Sequence, residues 1–107
     1  MARKNYNKLV RDRIPDIIRS EGRDCATEIM TESDYRRALV QKLVEEAQEV
    51  GDAPPDMLVT ELADLLEVFD AVRTAHGIRQ EDILVVQNER RTQRGGFDKR
   101  IRLLWAD

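Results

Sequence analysis

The sequence is poor in the residues that form disulfides, zinc sites and thiol-based catalytic centres. Its 107 residues include one cysteine, Cys25, and one histidine, His76. A single cysteine excludes an intrachain disulfide and a multi-thiolate metal site, and no cysteine–histidine arrangement for nucleophilic catalysis is evident. We interpret Cys25 as a small buried hydrophobic residue and His76 as a residue at a helix end rather than a metal ligand.

Aromatic residues and long apolar runs are also scarce. Aromatic residues make up 5% of the chain, so the core must be mostly aliphatic, which favours helices. No run approaches the roughly 18 apolar residues of a membrane-spanning helix, and the charged start MARKNYNKLV lacks the apolar core of an export signal. We therefore expect a cytoplasmic protein without a membrane partner.

Charge is abundant, and its distribution is uneven. Charged residues make up 36% of the chain, with a net charge of -3. Residues 1–23 carry seven basic and three acidic residues, and residues 88–102 carry six basic and two acidic residues. In residues 32–82 the balance is reversed, with five basic and thirteen acidic residues. The basic ends suit a phosphate-bearing partner, whereas the acidic middle repels a polyanion, so we expect no stable nucleic-acid binding.

The length and the short connections predict one domain, residues 1–107, that is mainly α-helical. A short helix is predicted in RDRIPDIIRSEG, with Pro15 in its first turn and Gly22 at its end. RQEDILVVQNERRTQ predicts a longer helix that stops at two glycines. Short β segments are predicted near residues 25–30, from CATEIM, and near residues 97–105, from the tail FDKRIRLLW.

Two long amphipathic segments predict a helix hairpin at the centre of the chain. The first, TESDYRRALVQKLVEEAQEVG, has Ser33 or Asp34 as its N-cap and Gly51 as its stop. DAPPD then predicts a turn, with Asp56 capping a second helix that continues through MLVTELADLLEVFDAVRTAH to Gly77. Because the connection is so short, the helices must pack antiparallel, as the core of a helical bundle.

Carboxylates interrupt the apolar face of each hairpin helix. At 100° per residue, Glu46 falls among the apolar positions of the first helix, Glu49 falls at their margin, and Glu45 points further toward solvent. In the second helix, Glu61 falls among the apolar positions and Asp64 at their margin. Glu46 and Glu61 each lie about five residues from the turn, so they should stand at similar heights across the hairpin.

Four carboxylates in one small volume indicate a cation site. They repel one another, and a bound cation removes that repulsion. Ligation by oxygen without histidine suits Mg²⁺, with Mn²⁺ as a substitute, rather than zinc or iron. EExxE and ExxD also occur on solvated helix faces, where Lys42 would pair with Glu45 or Glu49. The matched register of the two motifs favours the metal site.

Mg²⁺ bound by carboxylates is usually completed by water and by phosphate oxygens of a substrate. Two basic segments offer ligands for such phosphates. NERRTQRGGF contributes Arg90, Arg91 and Arg94, followed by glycines whose backbone N–H groups can approach an anion, and KLVRDR contributes Lys8 and Arg11. Among these cations, Arg94 is the preferred candidate.

YNKLVRDRIPDII, KLVEEAQEV with ELADLLEV, and RRTQRGGFDKRI together resemble the MazG-like branch of the all-α nucleoside triphosphate pyrophosphohydrolases, whose relatives include phosphoribosyl-ATP pyrophosphohydrolase. The resemblance covers nearly the whole chain. It implies that Glu46, Glu49, Glu61 and Asp64 bind Mg²⁺. It also implies catalytic roles for Glu46 and for Glu45, which would orient or deprotonate water.

The resemblance further implies a homodimer or homotetramer that hydrolyses a nucleoside triphosphate or phosphoribosyl-nucleotide between its α and β phosphates and releases pyrophosphate. The alternative is a non-catalytic helical module that keeps the acidic hairpin for cation-dependent folding, for regulation or for docking a basic protein. The sequence does not specify the base, the sugar or the number of phosphates of the nucleotide. It does not specify the number of metal ions either.

Overall fold

The computed structural model describes residues 3–107, and their regular structure is helical. The four α-helices are α1 (Ile14–Ser20), α2 (Glu32–Asp52), α3 (Leu58–Ala75) and α4 (Gln80–Arg94). The prediction of a mainly α-helical protein built on a helix hairpin is confirmed. No helix within residues 3–107 has both the length and the apolar character needed to cross a membrane.

The ends of α2 differ from the predicted ones. Thr31, not Ser33 or Asp34, is the N-cap: its backbone is extended, and its hydroxyl accepts a hydrogen bond from the Asp34 amide at 3.2 Å. The helix also continues past Gly51, the predicted stop, and ends at Asp52, with Ala53 as its C-cap. Ala53 is extended because it precedes a proline, whose ring disfavours helical backbone at the residue before it.

Within residues 3–107, α2 and α3 are the two α-helices that pack extensively against each other, and they form the hairpin. A 3-10 turn, Pro55–Met57, connects the helices, and Asp56 lies within that turn instead of capping α3. Leu39 of α2 and Val68 of α3 are the two buried apolar residues in this part of the chain. At the open end, the Arg36 guanidinium donates to the Ala75 carbonyl at 3.0 and 3.2 Å.

Other predicted helix ends agree with the structure. Gly22 and Gly95 follow α1 and α4, with positive φ angles of 77° and 83° that favour glycine. His76 is the C-cap of α3, as predicted. Cys25, predicted to be a small buried hydrophobic residue, is only partly buried, with its sulfur 3.9 Å from the Pro15 carbonyl oxygen.

The two predicted β segments, near residues 25–30 and 97–105, are wrong. Neither segment forms a strand, and the residues that the structure describes contain none. Apolar and β-branched content favours extended backbone, but a strand also needs a neighbour to accept its hydrogen bonds. Here both segments lack that neighbour, and Ile29 and Phe97 are each 97% exposed.

Outside the hairpin the chain is open. Neither α1 nor α4 packs against another helix to the extent that α2 and α3 do. The accessible surface is 10112 Å², whereas a compact monomer of 12.4 kDa would expose about 6,100 Å². The radius of gyration is 18.6 Å, compared with about 13 Å for a compact chain of this length. Much apolar surface therefore has no partner within one chain.

Candidate metal centre

Three carboxylates from the two hairpin helices meet near the turn. α2 supplies Glu46, and α3 supplies Glu61 and Asp64. One oxygen from each of the three lies within 4.8 Å of the chosen oxygens of the other two, and all three residues are half-buried. The helical pattern placed Glu46 and Glu61 in the apolar arcs, and the packing of those arcs brings them together.

The turn determines the register of these carboxylates. Extended backbone at Ala53 and Pro54 stops α2, and the 3-10 turn Pro55–Met57 starts α3 immediately afterwards. Because each residue advances a helix by about 1.5 Å, similar distances from Pro54 along the chain give Glu46 and Glu61 similar heights. Asp64, one turn beyond Glu61, lies on the same face of α3.

The surroundings of Glu61 disfavour the ionised form of its carboxyl group. Partial burial raises the pKa of Glu61 above 4.5, and the negative charges of Glu49, Asp64 and Glu46 raise it further. Glu49 therefore acts on the group through its charge, although it is exposed and is not among the three residues whose oxygens converge. A cation beside Glu61 would oppose all three of these repulsive effects.

Glu45, the adjacent glutamate, lies outside the convergent group. It is exposed, and its carboxylate is 3.9 Å from the Lys8 ammonium. The intrahelical pair considered for Lys42 with Glu45 or Glu49 is not among the ion pairs of residues 3–107. The ammonium near Glu45 comes instead from the segment before α1.

Arg11 reaches the acidic group directly. Its guanidinium donates to Asp64 Oδ1 at 2.8 Å, between residues 53 positions apart in the sequence. Lys8 contacts Glu45 of α2 and Arg11 contacts Asp64 of α3, so residues 8–11 lie across both hairpin helices. Both pairs are substantially exposed, so each contributes between about 0 and 1 kcal/mol to stability. Their clearer effect is to bring two cations to the rim of the carboxylate group.

The three other predicted phosphate ligands lie elsewhere. Arg90, Arg91 and Arg94 are exposed on α4, which does not pack substantially on the hairpin. No ion pair or hydrogen bond among residues 3–107 connects them to the acidic group. The structure of one chain therefore separates these arginines from the carboxylates, whereas Lys8 and Arg11 are in contact with them.

A groove of about 290 Å³ runs beside Glu45, between the segment before α1 and the N-terminal half of α2. Its lining includes Lys8, Arg37, Gln41 and Glu45. Three of these recur every fourth residue on α2, a spacing that places them on one helix face. The sequence analysis did not identify Arg37 and Gln41, although this spacing was a signal that could have shown them.

The arrangement places three carboxylates from two helices where they could hold a cation. In an octahedral Mg²⁺ site with bonds of about 2.1 Å, ligand oxygens lie about 3 Å apart when adjacent and about 4.2 Å apart when opposite. The three oxygens lie within 4.8 Å of one another, a limit close to the wider of these two distances.

Comparison of the chain with protein-family models, curated proteins and solved structures found no match.

Proposed function

We propose that this protein is a metal-dependent nucleotide pyrophosphohydrolase. It would hydrolyse a nucleoside triphosphate or a phosphoribosyl-nucleotide between the α and β phosphates and release pyrophosphate. One observation carries the proposal: oxygens of Glu46, Glu61 and Asp64, from two helices, lie within 4.8 Å of one another. The resemblance to the MazG-like pyrophosphohydrolases, whose EExxE and ExxD motifs supply these residues, connects this group to phosphate chemistry.

Glu46, Glu61 and Asp64 would hold the metal, and Glu49 would add a fourth carboxylate. Mg²⁺ is the proposed ion, with Mn²⁺ as a substitute, because both prefer oxygen ligands and the group contains no nitrogen or sulfur. When bound, the ion would polarise phosphate oxygens and lower the pKa of a water molecule. The raised pKa of Glu61 supports this assignment, because the group repels itself without a cation.

The chain's own residues would position and deprotonate the nucleophile. Water would attack the α phosphorus while the bond from this phosphorus to the bridging oxygen breaks, and pyrophosphate would leave with that oxygen. Glu45 and Glu46 are the carboxylates assigned to orient the water and accept its proton. Glu45 suits this role because it lies beside the metal group without joining it, and its only ion-pair partner among residues 3–107 is Lys8.

Basic side chains would bind the phosphates and stabilise the charge of the leaving group. Lys8 and Arg11 lie at the rim of the group already, 3.9 and 2.8 Å from Glu45 and Asp64. A cation bound by Asp64 would compete with Arg11 for this carboxylate, leaving its guanidinium available to a phosphate. Arg90, Arg91 and Arg94 keep the same proposed role, although α4 of one chain does not bring them to the carboxylates.

The proposal includes a cytoplasmic location and the homodimer or homotetramer that the family resemblance implies. Stable nucleic-acid binding is not part of it, because the acidic hairpin would repel a polyanion. A helical module without catalysis is the second candidate function. The contact between Arg11 and Asp64 favours that candidate, because a guanidinium inside the chain already neutralises one of the carboxylates.

Measuring pyrophosphate release from a panel of nucleoside triphosphates and phosphoribosyl-nucleotides, with Mg²⁺, with Mn²⁺ and with a chelator, tests the proposal. We expect turnover of at least one nucleotide with either metal and none with the chelator. Well-folded protein that releases no pyrophosphate from any of them would contradict the catalytic proposal. A rise in melting temperature with Mg²⁺ in that protein would instead support the cation-binding module.

A further inference from the structure

The groove beside Glu45, which we call the α2 groove, combines a half-buried apolar lining with polar residues that are mostly exposed. The apolar residues are Leu9 from the segment before α1, Met30 just before α2, and Ala38 of α2. The groove has a volume of about 290 Å³, at the lower end of the range of about 300–1,000 Å³ for small-molecule sites. Its size and lining suit one small ring system that packs on the apolar residues and hydrogen-bonds to the polar ones.

The charges around the α2 groove cancel. Three basic and three acidic side chains line it: Lys8, Arg37, Lys42, Glu28, Asp34 and Glu45. The groove therefore provides no net positive charge for a chain of phosphates, which basic side chains or a metal ion would bind. An uncharged ligand with both donors and acceptors fits it better. Asn7 and Gln41, the other polar lining residues, favour the same ligand, because each side-chain amide offers a donor and an acceptor.

Arg37 and Gln41 are well placed to select such a ligand. They lie four residues apart on α2, so they share one face of a helix, and Glu45 continues the row. Among residues 3–107, neither side chain takes part in an ion pair or a hydrogen bond. The adjacent Arg36, in contrast, is already bonded within the chain. The polar groups of Arg37 and Gln41 are therefore available to a ligand.

The α2 groove lies next to the acidic group near the hairpin turn. Glu45 lines the groove, and the next residue, Glu46, belongs to the acidic group. The Cα atoms of such neighbours are about 3.8 Å apart. Lys8 and Arg11 make the same connection from the segment before α1, because Lys8 lines the groove and Arg11 contacts Asp64. A ligand that extends from the groove past Glu45 therefore reaches the acidic group.

We propose that the α2 groove binds the base of the nucleotide, and that Arg37 and Gln41 determine which base is accepted. The inference rests on the proposed function, because the phosphates of the same nucleotide would lie on the acidic group. Base, α phosphate and outer phosphates follow one another in the nucleotide, as the groove, Glu45 and the acidic group do in the protein. Proteins read an unpaired base by hydrogen bonds to its polar edge and by packing against its faces, and the groove offers both.

Nucleosides, which lack phosphates, test the groove separately from catalysis. Saturation-transfer difference NMR of the metal-free, full-length protein with adenosine, guanosine, cytidine, uridine and thymidine detects weak binding and identifies the ligand protons in contact. We expect saturation mainly on the base protons, with a stronger response to some bases than to others. No response to any nucleoside, in folded protein, would overturn the proposal. A nucleoside contains no phosphoanhydride, so the result does not depend on whether the chain hydrolyses nucleotides.

Two substitutions that approximately preserve size test the assigned residues. Gln41→Leu and Arg37→Met remove polar groups, so each should raise KM for the preferred nucleotide about 3–10-fold, as expected for lost hydrogen bonds. The kcat should stay close to that of wild type, because the base makes the same contacts before and during the reaction. The preference among bases should narrow. Gln48→Leu, at an exposed position of α2 outside the groove, is the matched control and should leave KM unchanged.

The groove assignment and the proposed function fail in different ways. Metal-dependent hydrolysis with the same KM and base preference in wild type, Gln41→Leu and Arg37→Met would overturn the groove assignment and leave the proposed function intact. Nucleoside binding that both substitutions weaken, in protein that hydrolyses no nucleotide, would contradict the proposed function and support a base site in the groove.

Discussion

The hairpin of α2 and α3 and the segments that flank it differ in both packing and charge. The hairpin contains the two buried apolar residues that the structure describes and is strongly acidic. The flanking segments are basic, and several of their apolar residues are largely exposed, such as Phe97 at 97% and Ile101 at 79%. The hairpin thus positions the candidate site, while the flanks supply cations and surface that one chain leaves without a partner.

This difference also concerns stability. Complete burial of a leucine or valine side chain contributes about 1.5–3 kcal/mol, and within residues 3–107 only Leu39 and Val68, which are 4% and 8% exposed, come close to that state. Ordering the backbone costs about 1–2 kcal/mol per residue. The apolar side chains of α3 and α4 that stay exposed, such as Val59 and Leu84, therefore add little to this stabilisation within one chain.

The largest expected effect is on catalysis, from Glu46→Gln in the hairpin. The substitution keeps the size of the side chain but removes the charge that would bind the cation. Because outer-sphere partners of a metal already contribute about 10–100-fold, loss of a ligand should lower pyrophosphate release by about 100-fold or more. Glu67→Gln, which removes an exposed charge of α3 outside the acidic group, is the control and should keep its activity. Equal activity in both variants would exclude Glu46 as a ligand.

The next effect is on the stability of the hairpin. Leu39→Ala should lower the free energy of unfolding by about 2–5 kcal/mol, because it leaves a cavity in a packed interface. Val40→Ala alters the next residue of the same helix, which is exposed. This substitution should change the free energy of unfolding by less than about 0.5 kcal/mol. Urea denaturation followed by circular dichroism measures both. Similar losses in the two variants would show that α2 is covered on both sides.

A smaller effect is expected on how the stability of the folded protein depends on pH. The raised pKa of Glu61 means that the folded protein binds more protons than the unfolded chain between 4.5 and that raised value. Stability should therefore fall as pH rises through this interval. Glu61→Gln removes this contribution, so its stability relative to wild type should increase across the same interval in metal-free buffer. Thermal unfolding from pH 4 to pH 8 checks this, and a constant difference between the proteins would contradict it.

The smallest effect is expected at the rim. Arg11→Ala removes the ion pair with Asp64, which is exposed enough to change the free energy of unfolding by only about 0–1 kcal/mol. It should nevertheless tighten Mg²⁺ binding, because it removes a competing cation from Asp64. Isothermal titration measures the affinity, with Arg19→Ala on α1 as the control. Weaker Mg²⁺ binding in Arg11→Ala would indicate that Arg11 organises the site instead of competing for it.

The hairpin could be predicted from the sequence because helical periodicity and the prolines of its turn act locally. The same periodicity indicated that Glu46 and Glu61 would meet; their role as metal ligands stays a prediction. The contact of Arg11 with Asp64 could not be predicted, because it joins residues 53 positions apart and no local pattern encodes it. Residues 97–105 show the converse: their composition favours a strand, but a strand also requires a neighbour that the chain does not supply.

The central claim is that the carboxylates of the hairpin bind a divalent cation. Isothermal titration of metal-free protein with Mn²⁺ and Mg²⁺ tests it most directly, with Glu46→Gln, Asp64→Asn and the control Glu67→Gln measured in parallel. We predict saturable binding in wild type and Glu67→Gln and its loss in the other two variants. Equal binding in all four proteins, or none in wild type, would contradict the claim.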